Sequence, residues 1–388
     1  MFYHSVGQVP AKRHTQFRRP DGQLYTEELL GEEGFSSHSS LLYHHHEPTR
    51  VTRIEQGPEV TFDTWDEGLL RHHHLRTGPI EAGGDPITSR TVLMHNADVQ
   101  LAIGRPTEAM DYFYRNGEHD ELLFIHEGRG VVQSVFGRLE FEPWDYVFIP
   151  RGTTYQIIFE TDDNRFLLVE SAGPLTVPKR YLSKFGQFLE HAPFCERDFG
   201  RPTGPIFFDE RGEFEVRIKK RGRLHRYWFD HHPFDVVGWD GYLYPWTFSI
   251  KDFEPITGRV HQPPPVHQTF AARGFVVCSF VPRKFDYHPL AIPAPYNHSN
   301  IDSDEVLYYV DGDFMSRKGV DYASITQHPG GIPHGPHPGT VEKSIGAEET
   351  EEYAVMVDTF RPLNLTEAAR HLDDASYPYS WLGEESVK

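Results

Sequence analysis

DELLFIHEG (residues 120–128) and DEVLYYVDG (residues 304–312) share an Asp-Glu pair, an apolar and aromatic run, and a closing acidic residue with glycine. A second pair of blocks follows in the same order, PRGTTY at residues 150–155 and PGGIPH at residues 329–334. Two matched blocks in one order indicate an internal repeat, and a repeat decides architecture before any single element does. Around the first block, ELLFIHEGRG, VVQSVFG, YVFIPRG, YQIIFE and RFLLVE are short β-branched and aromatic runs separated by turn glycines at 128, 137 and 152. Such runs are consecutive strands of a sandwich or barrel. The chain is therefore expected to be mostly β, a tandem duplication of one small β-barrel.

Composition agrees. Aromatic residues make up 14% of the 388 residues, with 28 Phe and 19 Tyr against 5 Met, a balance that suits sheets. Hydrophobic residues at 38% together with 33 glycines bring the apolar share to roughly 47%, normal for a globular protein. A net charge of −19 argues against nucleic acid or an anionic membrane as partner. The two cysteines, Cys195 and Cys278, are too few for a disulfide framework, and no apolar run is long enough to span a bilayer. A cytoplasmic location is the resulting expectation.

The flanking regions divide the chain. Residues 1–110 read as a β-rich N-terminal region, residues 111–233 as a first barrel plus an irregular bridge containing the hairpin KKRGRLHRYWF, and residues 234–388 as a second barrel. In LNLTEAARHLDD a short helix is expected, capped by Asn364 or Thr366, with SYPYSWLGEESVK as an exposed tail. The triplets His44–His46 and His72–His74 are expected to be structural or exposed, because successive side chains of a strand point to opposite faces.

The second copy carries a chemistry that the first lacks. His298, Glu305 and His334 supply two imidazoles and a carboxylate, the donor set of a mononuclear non-haem iron(II) site with open coordination positions. In the first copy, Tyr114 and Tyr155 stand at the two histidine positions and only Glu121 remains, so that barrel is expected to be metal-free. Asp304 is the alternative carboxylate, set aside because the repeat aligns Glu305 with Glu121 at the start of the strand, and alternation would put Asp304 on the opposite face. His328 is a candidate proton carrier, His337 a weaker ligand or neighbour of the site, and His261 and His267 flank a stiff triple proline.

The segments FDVVGWDG (residues 234–241), DEVLYYVDGDF and TQHPGGIPHGP, with DELLFIHEGRGVVQSVFGRLEF and YVFIPRG in the first half, resemble the homogentisate 1,2-dioxygenase family over roughly residues 25–370. The resemblance implies a bicupin fold, an Fe(II) cofactor held by His298, Glu305 and His334, and opening of a para-diol aromatic ring by dioxygen. It further implies a homo-oligomer, trimer or hexamer. Homogentisate, giving maleylacetoacetate in tyrosine and phenylalanine catabolism, is the first substrate implied. Gentisate, or a non-oxygenase bicupin acting as isomerase or sensor, is the alternative. His328 matches a family histidine near the ring. Two positions depart from the family's long forms: Asp240 follows the Val-Val-Gly-Trp block where they have a catalytic histidine, and Phe314 replaces a substrate-contacting tyrosine. Asp240 and His328 are thus the expected proton handlers, and Tyr296, Phe314 and His337 the expected substrate wall.

Overall fold

A computed structural model describes residues 2–312 and 320–382; Phe314 lies outside the described residues. The chain is mostly β, as expected, and its helices are short. The duplication is visible in the strand registers. In the first copy, strand Asp120–Glu127 lies between Asp145–Ile149 and Arg165–Ser171, with Glu121 opposite Ile149 on one side and Glu170 on the other. In the second, strand Asp304–Asp311 lies between Ile325–His328 and Tyr353–Thr359, with Glu305 opposite His328 and Asp358. Even the outlying pair matches: Tyr114 pairs with Tyr155, and His298 with His334.

The Asp-Glu signature has a physical reason in both copies. Alternation sends the two side chains to opposite faces. Asp120 accepts the backbone N–H groups of Arg151 (2.9 Å) and Leu175 (3.1 Å). Asp304 accepts those of Gly330 (2.7 Å) and Leu363 (2.8 Å). Each aspartate therefore pins the Pro-x-Gly turn and the segment after the last strand, which satisfies N–H groups that burial would otherwise orphan. Asp304 is a staple, and Glu305 is left to face the other way.

The first copy is built from two open sheets that share one core. Leu123, Ile125, Val147 and Phe166 of an eight-stranded sheet meet Val132, Leu139, Tyr155 and Ile157 of a seven-stranded one. The second copy has one six-stranded sheet, ordered Gln268–Ala271, Phe275–Phe280, Tyr353–Thr359, Asp304–Asp311, Ile325–His328 and His73–Leu75. The copies meet through buried pairs: Tyr146 hydroxyl with Ser279 Oγ (2.8 Å), and His126, whose Nε2–H donates to the Val310 carbonyl (3.1 Å) while Nδ1 accepts from Tyr308 (2.6 Å).

Sheet pairing crosses the expected boundaries at 110/111 and 233/234. Strand His73–Leu75 of the N-terminal region is the edge of the second copy's sheet, beside Ile325–His328. Val236–Gly241 pairs with His4–Gly7 and Ser39–His44, and Trp246–Ser249 extends the first copy's sheet. The bridge is no loose linker. Its hairpin Arg211–Lys220 and Arg223–His231 turns at Arg221 (φ 54°) and Gly222 (φ 66°), the two positive φ values that match the strand twist, and runs parallel to Phe113–Asn116. The C-terminal helix is a single turn, Glu367–Arg370, capped by Thr366 Oγ1 accepting from the Ala369 N–H (3.3 Å).

The tail expectation is corrected. Tyr377 is 4% exposed and Trp381 packs against His337 and His72, so these two rings anchor the segment, while Tyr379 and Leu382 stay exposed as expected. The sequence pattern misses this because three aromatics at alternate positions, Tyr377, Tyr379 and Trp381, do not reveal which of them is covered.

Candidate metal centre

His298 and His334 are brought side by side by a short antiparallel bridge, His298 N–H to His334 carbonyl at 2.8 Å and the reverse at 2.9 Å. Gly335 permits that approach: a Cβ there would stand 2.2 Å from Asn297 Oδ1 and 2.7 Å from its Cα. Glu305 projects from the sheet toward the bridge. His298 Nε2 lies 3.4 Å from Glu305 Oε2, and His334 Nε2 lies 3.3 Å from Glu305 Oε1. Among the described residues these three donors lie within 4.8 Å of one another.

The tautomers follow from the backbone. His298 Nδ1 is 3.2 Å from the Tyr296 carbonyl and His334 Nδ1 is 3.5 Å from the Ile332 carbonyl. A carbonyl only accepts, so each Nδ1 carries the proton and each Nε2 turns toward the carboxylate. His334 Nε2 is buried without a well-aligned hydrogen bond. Two imidazole nitrogens against a carboxylate repel unless a cation, a proton or a metal ion, lies between them. Burial alone would raise the pKa of Glu305, but His298, His328 and His334 hold it well below the usual carboxylate range. Two nitrogens and one carboxylate, oriented by outer hydrogen bonds, fit a divalent first-row metal.

The first copy shows what the same frame does with its own cation. The Arg90 guanidinium donates to Glu121 and to the Tyr155 hydroxyl (3.2 Å), over the Tyr114 ring at 5.5 Å. Tyr155 in turn donates to Glu121. Arg90 thus stands against the carboxylate where the second copy leaves space between imidazoles. The reading of Tyr114, Glu121 and Tyr155 from sequence did not foresee Arg90, which lies 31 residues before Glu121 with no repeat partner to flag it.

Behind the second site lies a buried layer. His328 Nδ1–H donates to Glu305 Oε1 (2.9 Å), and its Nε2 accepts from the Tyr377 hydroxyl (3.0 Å). Its ring stacks on His334 at 4.4 Å, and His72 packs edge-on to both. His73 bridges Asp373 (3.0 Å) and Glu67 (2.9 Å), fixing the strand His73–Leu75 that His72 immediately precedes. Of the second triplet, His73 is thus held by two carboxylates, and His72 joins the layer behind the three donors. His337 bonds Ser380 Oγ (2.9 Å) and packs on Trp381, which places it in this layer and outside the cavity wall.

In front of the donors is a cavity of about 250 Å³ lined by His298, Glu305, Asn300, His261, His267 and Asp358 together with apolar side chains that include Phe280, Leu307 and Met356. The proline loop thus does contribute to the site. His267 stacks on Phe280 at 4.5 Å, and burial pushes its pKa down to about 3. Asp358 was missed from sequence. Its Oδ1 is shielded and unpartnered among the described residues, and burial followed by the charge of Glu305 pushes its pKa up to about 8. A lone Asp in the strand YAVMVDT gave no signal, since only the register places it opposite Glu305.

Asp240 is not part of this cavity wall. It lies in the strand beside His4–Gly7, where Arg13 Nη2 (3.0 Å) and the Tyr3 hydroxyl (3.1 Å) donate to it. The proton-handling expectation for Asp240 therefore lacks the required proximity within the chain. Tyr296 is 56% exposed and borders the site through its backbone carbonyl. A second cluster, His45, His46 and Asp209, forms where the chain bends after strand Ser39–His44. Arg211 donates to His46 Nδ1 (3.0 Å), so the ring proton sits on Nε2 and is given to Asp209 (2.9 Å). That network is already satisfied without a metal.

Residues 82–250 match the family model described as homogentisate 1,2-dioxygenase N-terminal. A protein of Saccharolobus solfataricus, named a putative dioxygenase, is 41% identical over 384 residues, 98% of this chain and 99% of that one. The chain belongs to the homogentisate 1,2-dioxygenase family. Solved structures similar to this family member include a cupin 2 conserved barrel domain protein from Leptotrichia buccalis, at TM-score 0.33 and 8% identity over 76% of this chain and 98% of that one. Another is oxalate decarboxylase from Bacillus subtilis, at TM-score 0.33 and 11% identity over 78% and 80% of the two chains. Likeness at that level carries no argument about the family member's chemistry. Among its described residues no helix is long and apolar enough to cross a membrane.

Proposed function

We propose that this dioxygenase-family protein is an iron(II)-dependent ring-cleaving enzyme for a para-diol aromatic acid, with homogentisate the first substrate and gentisate the next. The observation that carries the reading is the convergence of His298, Glu305 and His334 at one end of a cavity, with both Nε2 atoms turned toward the carboxylate. Bound iron(II) would supply a Lewis acid and a template on which diol and dioxygen meet.

The chain's own residues do the rest. The Tyr296 and Ile332 carbonyls orient the two imidazoles, and His328 orients the carboxylate. Leu307, Phe280 and Met356 give the cavity an apolar wall suited to a ring. His328 is proposed as a positioning residue, because both ring nitrogens face protein partners and the ring is 0% exposed.

The test is oxygen uptake by the iron-loaded protein with homogentisate, gentisate and hydroquinone, beside Glu305→Ala. Uptake with one of these diols, lost together with iron in Glu305→Ala, is expected. No uptake with any of them would favour a metal-binding bicupin that does not consume oxygen.

A further inference from the structure

We propose that Asp358 takes a hydroxyl group of the molecule bound in the cavity, positioning a phenolic ring beside the three donors. The inference rests on the metal-site reading above and deepens it by naming what holds the substrate. Asp358 and Glu305 are register partners on adjacent antiparallel strands, and such partners project to the same face. Both line the cavity. Asp358 Oδ1 has no hydrogen-bond partner among the described residues, although a buried oxygen of this kind costs free energy when left unmatched.

The duplicated frame supplies the control. Glu170 is the counterpart of Asp358, opposite Glu121 in the first copy. There the carboxylate is saturated: Asn116 Nδ2 donates at 2.7 Å, and Lys219 Nζ donates at 2.7 Å. Those two residues come from Phe113–Asn116 and Arg211–Lys220, strands of the seven-stranded sheet. In the second copy the cavity stands in front of the carboxyl. One frame thus has a filled and an open version, and the open version faces the space where a ligand would lie.

The cluster of three donors does not include Asp358. It flanks the metal position and is assigned no ligand bond. A hydroxyl suits it in either protonation state, since a hydroxyl can donate to a carboxylate or accept from a carboxylic acid. A second carboxylate beside Glu305 also disfavours an anionic group, so an aromatic acid would enter with its hydroxyl toward Asp358 and its acid group elsewhere.

The experiment uses the full chain loaded with zinc, which binds without redox chemistry, and calorimetric titration with hydroquinone and with 1,4-dimethoxybenzene. Hydroquinone is expected to bind the wild type, and Asp358→Ala to weaken it about tenfold, the usual scale for one hydrogen bond to a buried group. Asp358→Asn, which keeps an acceptor and a donor, should restore most of the loss. Dimethoxybenzene, whose oxygens accept but cannot donate, should lose less affinity than hydroquinone on Asp358→Ala, and metal content should stay unchanged in all of them. Equal hydroquinone affinity in Asp358→Ala, or no hydroquinone binding to the wild type, overturns the proposal. Loss of zinc in Asp358→Ala also overturns it, by making Asp358 a ligand. If Asp358→Ala does not fold, Asp358→Leu, of similar shape and without hydrogen-bonding atoms, replaces it, with the same loss of hydroquinone affinity expected and unchanged affinity overturning the proposal. Failure of the dioxygenase reading would show separately, as absent oxygen uptake by the iron form with hydroxyl binding intact.

Discussion

Replacing His328 by isoleucine copies into the second barrel the residue, Ile149, that the first barrel has at the same register position. The volume is nearly conserved, so the main loss is the Nδ1–H···Oε1 contact at 2.9 Å that aims Glu305, together with the hydrogen bond that the Tyr377 hydroxyl donates to Nε2. A hydrogen bond to a charged group contributes about 1.5–3 kcal/mol, and outer partners of metal ligands typically change metal affinity about 10- to 100-fold. We therefore expect His328→Ile to bind cobalt(II) or iron(II) about 10- to 100-fold more weakly, with one metal per chain at saturation. Chelator competition read by the visible bands of cobalt measures this, and urea unfolding of the metal-free protein checks that the fold persists. Tyr377→Phe, which leaves the Nδ1–H contact in place, should weaken binding by less than about threefold. A folded His328→Ile protein with wild-type metal affinity would refute the role of His328 as the orienter of Glu305.

In the first copy, Arg90→Leu leaves Glu121 and Glu170 without the guanidinium that both face, and breaking a buried pair costs about 3–5 kcal/mol, measurable as a lower denaturation midpoint in urea. Gly335→Ala should loosen the His298–His334 bridge, because the added methyl meets Asn297 at 2.2 Å; about 1–3 kcal/mol of stability and part of the metal affinity should be lost together. Asp240→Asn should leave kcat and KM within about twofold in an oxygen-uptake assay, since the buried Asp240 is held by Arg13 and Tyr3 outside the cavity wall and Asn keeps an acceptor oxygen for them. His126 is held neutral by burial, its pKa lowered from 6.5 to about 4. Its folded form binds fewer protons than the unfolded chain below pH 6.5, so its contribution is complete above that value and lost as pH falls toward 4. About 3 kcal/mol is involved, and His126→Gln should lose less stability than the wild type between pH 7.5 and pH 5 in urea titrations.

The sequence by itself determined the duplication, the mostly β character and the convergence of His298, Glu305 and His334, because each leaves a local trace. Alternating apolar runs mark strands, and the Asp-Glu pair is repeated because each copy needs one carboxylate to staple its Pro-x-Gly turn and a second turned inward. Comparison of the copies then isolates His298 and His334 from Tyr114 and Tyr155. What surrounds those donors was decided by tertiary structure alone. Arg90, His72, Tyr377 and Asp358 reach the two sites from strands and a terminal segment distant in the chain, through cross-strand register and packing that no spacing along the sequence encodes. Pairing across 110/111 and 233/234 has the same cause: hydrogen bonding between edge strands joins segments by their position in space, so His73–Leu75 serves the second copy and Trp246–Ser249 the first. Asp240 is the converse case, a residue whose place in a motif suggested chemistry and whose place in the fold gave it Arg13 and Tyr3 as partners.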